Sequence, residues 1–535
     1  MEMFNPVLVH EYLTLSAKRF PDKDALVCGG ERWTYRALDE ASGRLAGALG
    51  RMGLNRQDRV AIFLENSAEA VISLYGTMKA GGIFVILNSS MRPGKLGYIL
   101  QDSGARFLIA SGRKAGIVKA ALSQLPHPPG VIWVGGTPDV PAGFPPGSDS
   151  WKAVLEVSIP EKGPGPPCLE CDLAALIYTS GSTGEPKGVM STHHNMVSAA
   201  RSIIQYLENT PEDIIIDVLP LSFDYGLYQV IMAFMFGGTV VLEKSFLYPV
   251  TILKAIERER VTGFPVVPTL AAMLLKMENL AAYNLGSMRY MTNTAAALPV
   301  EHIRRLRALF PRVRMYSMYG LTECKRVSYL PPEELDRRPA SVGKAISNCE
   351  VIIVDEEGRE AAAGQAGELV IRGANVMQGY WNAPELTART FRPGRYPEDR
   401  LLYSGDLFKM DADGFLYFLG RKDDMIKTKG ERVSPKEIEN ALCGMEGIAE
   451  AAVIGVPDEI FGEAVEAFVV LKPGIQVTEK SVLKHCAGQL EPFLVPRRVK
   501  ILPELPRTSN GKVDKKALQE ERSAFRPHSR SGLRP

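Results

Sequence analysis

Between Phe4 and about Leu125 the chain alternates helix-like stretches such as LDEASGRLAGALGRMG with short β-rich runs such as RVAIFL and GGIFVIL. Strand followed by helix, repeated, predicts βα units around a largely parallel sheet. At 535 residues the chain exceeds what one hydrophobic core serves, so at least two domains are expected. VIWVGGTPDVPAGFPPGSDS is rich in Pro and Gly and reads as a surface excursion. Beyond it, HNMVSAARSIIQYL sets Met196, Ala200, Ile203 and Leu207 at helical spacing. The pattern changes at EVIIVDEEGRE, GELVIRG and GFLYFLG, strands with turns between them, which predict a β-rich subdomain. From Arg421 to Leu518 a helix in SPKEIENAL, strands in AEAAVIGV and VEAFVVL and a helix in EKSVLKHCAGQL read as a small α+β domain. The expected class is α/β. A large N-terminal domain, 1–420, combines βα-layered sheets with the β-rich subdomain; an α+β domain, 421–520, and a disordered basic tail, 521–535, follow.

With 45% hydrophobic residues, 23% charged and a net charge of +2, the chain reads as soluble and globular, and no basic excess points to nucleic acid. Seven cysteines are sparse for this length, which favours a reducing compartment. Cys168 and Cys171 form a C-x-x-C with no second pair or His cluster to complete a zinc site. The start, MEMFNPVLVHEYLTL, carries Glu2 and His10 where a signal peptide needs a basic and then an apolar segment. VIMAFMFGGTVVL is shorter than the roughly 20 residues that span a bilayer and is broken by Gly237 and Gly238. A cytoplasmic protein without a transmembrane segment is expected.

The stretch YTSGSTGEPKGV, Tyr178 to Val189, places Thr179, Ser180, Ser182 and Thr183 among Gly181, Gly184 and Gly188, with Lys187 close behind. Glycines let the backbone approach a ligand, and N–H and hydroxyl groups donate to an anion, so a polyphosphate is the expected guest. The apolar run before it and the helical pattern after it predict strand, loop and helix in the order of an anion site. The spacing departs from G-x-x-x-x-G-K-[ST], because Lys187 comes three residues after Gly184 and Gly188 follows it. A P-loop kinase or GTPase is disfavoured.

Further segments are NTAAALP (293–299), MYGLTE (318–323), GELVIRGANVMQGYWNAPELTARTF (367–391), YSGDLFKMDADGFLYFLGRKDDMIKTKGERVSPKEIE (403–439) and PRTSNGKVDKKAL (506–518). In order and spacing they resemble the core motifs of the adenylate-forming superfamily of acyl-CoA synthetases, amino-acid adenylation domains and luciferases. The resemblance implies that the loop holds the β- and γ-phosphates of ATP. By the same resemblance Tyr319 lies against adenine, Thr322 bonds the α-phosphate and Glu323 holds Mg²⁺. It gives Asp406 the ribose hydroxyls, a task one carboxylate performs by accepting two hydrogen bonds. Arg421 adds a cation beside the ribose and phosphates, and Lys512 stands between the attacking carboxylate and the α-phosphate. Mobility of the C-terminal domain is also implied. Asp423 matches the hinge, and Gly430 lines the tunnel for a thiol, CoA or the phosphopantetheine of a carrier protein.

PLSFDYG, Pro220 to Gly226, stands where many fatty acyl and aryl ligases read PLFHxYG, so Phe223 and Asp224 replace the usual pattern. In amino-acid adenylation domains a similar Phe-Asp pair supplies the aspartate that binds the substrate ammonium. Asp224 thus suits an amino acid, or it bonds backbone at the turn before Gly226. An acid there would stand buried and unpaired beside a long fatty chain. Tyr225, Tyr228 and Met318 suggest an apolar lining for either kind of substrate. The leading expectation is an ATP-dependent, AMP-forming ligase passing an acyl group to CoA. Alternatives are an amino-acid adenylating ligase that loads an acyl carrier protein and a non-catalytic nucleotide binder, against which Lys512, Glu323 and Asp406 argue.

Overall fold

The computed structural model describes residues 6–135, 148–156, 168–180, 185–246, 248–277, 279–294, 298–396, 399–422, 424–428, 431–458, 462–508 and 512–524. These form four sheets. The first is seven-stranded, in the order Asp149–Ser150, Gly130–Val134, Ala105–Ser111, Arg59–Phe63, Ile83–Ile86, Leu173–Ser180 and Pro186–Thr192. Its pairs are parallel except the last, as βα alternation requires. The strand Gly130–Val134, with Val131, Ile132 and Trp133 buried, corrects the expectation that VIWV belongs to an irregular excursion. Three large apolar side chains in five residues outweigh the Pro and Gly after them.

The second sheet is nine-stranded, with a parallel centre built from Arg314–Tyr319, Tyr290–Asn293, Gly263–Val266, Ile214–Asp217, Thr239–Leu242 and Asp24–Cys28. Asp24–Cys28 pairs with Thr239–Leu242, over two hundred positions away, so the N-terminal βα series feeds both large sheets. Helix Asp224–Phe236 is buried at every position, as an all-round apolar helix must be. It ends at Gly237, whose φ of 82° is the left-handed conformation glycine takes without penalty. The longest apolar run is therefore a core helix leading into a strand. Among the described residues no helix is long and apolar enough to cross a membrane.

A third, antiparallel sheet joins Cys349–Val354, Ala366–Gly373, Arg400–Met410, Phe391–Pro393 and Leu416–Arg421 around its own core of Ile353, Leu369, Ile371, Leu402 and Phe408, matching the expected β-rich subdomain. The fourth, built on Ile448–Asp458 paired with Gly462–Leu471, packs against helices Pro435–Cys443 and Glu479–Gln489. This unit meets the body through Arg507 Nη1 on Thr269 Oγ1 at 2.7 Å, Lys276 Nζ on Glu450 Oε1 at 3.2 Å, and a 3.1 Å hydrogen bond between His302 Nε2 and Ala449 O. Helix Lys515–Ala524 runs into the stretch read as tail, and 525–535 lie outside the described residues.

Candidate active site

The glycine-rich loop differs from expectation in its surroundings. It joins strand Leu173–Ser180 to strand Pro186–Thr192 as an antiparallel hairpin, with Thr179 opposite Lys187, and only then does helix His193–Leu207 begin. The helix therefore starts a strand's length away and offers the loop no N-terminus. Gly181, Ser182, Thr183 and Gly184 lie outside the described residues, as does the side chain of Ser180. Thr179 Oγ1 is shielded from solvent without a hydrogen-bond partner and lines the cavity described next. It is a donor awaiting an acceptor.

A cavity of about 660 Å³ lies where the first, second and third sheets and the C-terminal unit meet. Tyr319, Thr322, Glu323, Lys187, Asp406 and Arg421 line one part of it, Phe223, Asp224, Tyr225 and Met318 another, and Lys512 reaches it from the C-terminal unit. Tyr228 lies beneath, fully buried in the core rather than on the lining. Asp423 and Gly430 fall outside the described residues.

MYGLTE leaves strand Arg314–Tyr319 as a tight loop, in which a Cβ on Gly320 would lie 2.2 Å from Lys325 O. Glycine is required by that close approach. Glu323 Oε1 accepts from Lys187 Nζ at 3.1 Å and from Tyr380 OH at 2.6 Å, while Lys187 also donates to Tyr380 OH at 2.8 Å. Burial alone would raise the Glu323 pKa, but Lys187 and the Tyr380 hydrogen bond outweigh it and hold the carboxyl below its ordinary value. Lys187, expected to face phosphates, is thus anchored to Glu323.

Asp406, buried, accepts from Tyr319 OH at 2.6 Å through Oδ2. Its Oδ1 lies 3.0 Å from Arg421 Nε, but without the alignment of a hydrogen bond, so that oxygen retains an accepting position. Burial raises the Asp406 pKa against the opposing pull of Arg421. The Tyr319 ring packs against Phe408 and Phe418 and lines the cavity. Lys512 is open to solvent within the cleft, yet enclosure by the surrounding protein and the charge of Arg421 lower its pKa, while Asp224, Asp406 and Glu323 pull it upward.

The acyl part is built where helix Asp224–Phe236 begins. A Cβ on Gly226 would sit 2.7 Å from Pro220 O and 2.8 Å from Leu219 O, so the glycine lets the helix start pack against the segment that leads into it. Tyr225 OH donates to Thr292 O at 2.9 Å, and Phe223 meets the Tyr225 ring edge-on at 6.2 Å. Asp224 is already partnered: its Oδ2 lies 3.6 Å from Lys325 Nζ, and its carbonyl accepts from that ammonium at 2.7 Å. Sequence reasoning missed Lys325 and Arg326, both on the cavity lining. The available signal was two adjacent cations set between apolar Cys324 and Val327.

Residues 13–381 match the family described as AMP-binding enzyme, and 437–512 match the AMP-binding enzyme C-terminal domain. The long-chain-fatty-acid–CoA ligase of Bacillus subtilis (strain 168) is 33% identical, across 95% of this chain and 93% of the relative. A sulfoacetate–CoA ligase from Cupriavidus necator is 31% identical, across 95% and 96% respectively. Among solved structures, the anthranilate CoA ligase AuaEII in complex with anthranoyl-AMP superposes with a TM-score of 0.88 at 27% identity, covering 97% of this chain and 98% of that one.

Proposed function

Because this chain belongs to the AMP-binding, adenylate-forming enzyme family as an AMP-forming acid–thiol ligase of the acyl-CoA synthetase type, we propose that the 660 Å³ cavity runs two half-reactions in one place. A carboxylic acid attacks the α-phosphate of ATP, pyrophosphate leaves, and the thiol of CoA then takes the acyl group from the adenylate. The observation that carries this reading is the meeting of Lys512, from the C-terminal unit, with Glu323, Asp406 and Asp224 around a single cavity.

In this reading Tyr319 lies against adenine and Asp406 takes the ribose diol through the accepting capacity left by Tyr319 and Arg421. Thr179 and Thr322 donate to phosphate oxygens. The Lys512 ammonium offsets the repulsion between the attacking carboxylate and the α-phosphate, a preorganised charge placed where the transition state needs it. Glu323 fits Mg²⁺, since that ion is commonly held by one or two carboxylates together with substrate phosphates and water. Bound there, the ion would neutralise phosphate charge. Lys187 and Tyr380 hold the Glu323 carboxylate in place through Oε1.

The N-terminal domain ends near residue 420, and the C-terminal domain turns at Asp423 to withdraw Lys512 and bring Gly430 to the thiol path. With Asp224 occupied by Lys325, the geometry supports an acid without an α-ammonium over an amino acid, and relatives that are CoA ligases support CoA over a carrier protein. Seven cysteines, sparse for this length, suit the cytoplasm. Carboxylate-dependent ATP/pyrophosphate exchange across short, long, aromatic and amino acids, followed by thioester formation with CoA, tests the reading. Exchange with at least one carboxylic acid is expected. Its absence across the panel overturns the ligase assignment.

A further inference from the structure

Two cations stand side by side on the acyl lining, and only one has a carboxylate. Lys325 faces Asp224 as described, with the Tyr228 ring 4.4 Å from its ammonium. Arg326, 2% exposed, donates from Nη1 to Thr294 Oγ1 at 2.7 Å, and its guanidinium lies 5.7 Å from the Tyr225 ring. Its Nε is shielded from solvent and has no hydrogen-bond partner. Among the described residues, no carboxylate lies within ion-pair distance of that guanidinium. The other acid nearby, Asp217, is fully buried and accepts from Leu219 N at 3.1 Å through Oδ1, and burial raises its pKa. Arg326 therefore has no carboxylate of its own.

The backbone holds this cation in place. Lys325 sits at φ 62°, a left-handed conformation rarely adopted by a side-chain-bearing residue and typically maintained where the surroundings enforce it. Asn375 Nδ2 does so here, donating to Cys324 O at 3.0 Å and Arg326 O at 2.6 Å. A buried guanidinium donor left unpaired is costly, and Arg presents its donors in a fork suited to planar anions. Thr294, Lys325 and Arg326 all line the cavity that holds Asp224 and Lys512.

We propose that this chain selects an acid bearing a second anionic group, a carboxylate or sulfonate remote from the reacting carboxyl, whose oxygens accept from Arg326 beside Lys325. The inference rests on the acid–thiol ligase reading and names its substrate class. It also gives Asp224 a role other than binding a substrate ammonium: it stands against Lys325, 3.6 Å from its Nζ, so that Arg326 is left as the reader of the distal group.

The test measures ATP/pyrophosphate exchange by the full chain with matched sets: butanoate, succinamate, succinate and 3-sulfopropanoate, then benzoate, 3-carbamoylbenzoate, isophthalate and 3-sulfobenzoate. In at least one set the dianion is expected to exceed the monoacid and neutral amide in kcat/KM by on the order of 10- to 100-fold, as one charge-assisted contact supplies. The carboxylate and sulfonate arms show which anion is favoured. Arg326→Gln should erase that ratio, and Arg326→Lys should restore part of it. Exchange in which monoacid or amide equals the dianion in both sets overturns the proposal and leaves the ligase reading standing. Calorimetric binding of succinyl- and butanoyl-sulfamoyladenosine, which needs no turnover, separates the two readings. Tighter binding of the succinyl analogue, lost in Arg326→Gln, supports the proposal; equal binding overturns it alone; binding of neither overturns the ligase reading and the proposal together.

Discussion

The two parts of the cavity handle charge differently. In the nucleotide part the cations are partly open to water, Lys187 at 26% and Arg421 at 57% side-chain exposure, and each meets a carboxylate, Glu323 or Asp406. In the acyl part Lys325 is 2% exposed, its partner Asp224 is 10% exposed, and Arg326 is buried with no acid of its own. Solvated, balanced pairs suit a guest that brings its own charge and counterions and must leave again. Enclosed, unbalanced cations act in a medium where charge is poorly screened, so they favour one kind of guest and penalise the rest.

Lys512 is the group that both parts share, and removing it should have the largest effect. Lys512→Ala should slow adenylate formation by about 10² to 10³, the usual cost of one preorganised charge, while a supplied acyl-adenylate still passes to CoA. Single-turnover assays of each half-reaction check this, and equal loss in both would break the idea that Lys512 serves only the first. Next comes Glu323→Gln, which keeps the shape and the Tyr380 contact but removes the charge. Loss of a charge-assisted contact predicts about 10- to 100-fold slower pyrophosphate release. The defect should be steepest at limiting Mg²⁺, read by titrating the ion. A defect independent of Mg²⁺ would leave Glu323 only its contacts to Lys187 and Tyr380.

The same contrast explains what the sequence made legible. Tyr319, Thr322 and Glu323 fall within six consecutive residues, and Asp406 within four, so their chemistry is written as contiguous strings. The parallel sheets announced themselves through βα alternation, a local pattern. Pairing of Asp24–Cys28 with Thr239–Leu242 depends on contacts remote in sequence and left no local mark. The hairpin after the glycine loop was hidden because PKGVMST opens with Pro and Gly, yet its strand is fixed by pairing with LAALIYTS. Lys325 and Arg326 follow Glu323 after a single residue, Cys324, but the turn at Lys325 is left-handed, and residue type does not encode that turn.

Stability gives a third comparison. Asp224→Ala leaves Lys325 beside Arg326 without compensation, and breaking a buried pair from one side typically costs about 3 to 5 kcal/mol. Arg36→Met breaks the Arg36–Asp22 pair, exposed on both sides, where about 0 to 1 kcal/mol is usual. Urea unfolding of the two variants should therefore differ clearly in midpoint. Equal losses would erase the distinction between an enclosed and a solvated set of charges.

The smallest effect is a slope. Burial, with Arg326 adding to it and Asp224 opposing it, pulls Lys325 down to about 7 from an ordinary 10.5. Below pH 7 both the folded and unfolded chains carry the proton, so this group adds no pH dependence. Between about 7 and 10.5 the folded chain has released the proton while the unfolded chain still binds it, and stability must rise with pH across that window. The rise from one such group is at most about 1.4 kcal/mol per pH unit. Other groups titrate as well, so the informative quantity is the difference from Lys325→Met, in which this ammonium is gone and Asp217, Asp224 and Arg326 remain. Unfolding free energies from pH 7 to 9 should climb more steeply for the native chain than for that variant. Parallel lines would mean that Lys325 keeps its proton in the folded state beside Asp224, and the acyl part of the cavity would then hold a second lasting cation next to Arg326.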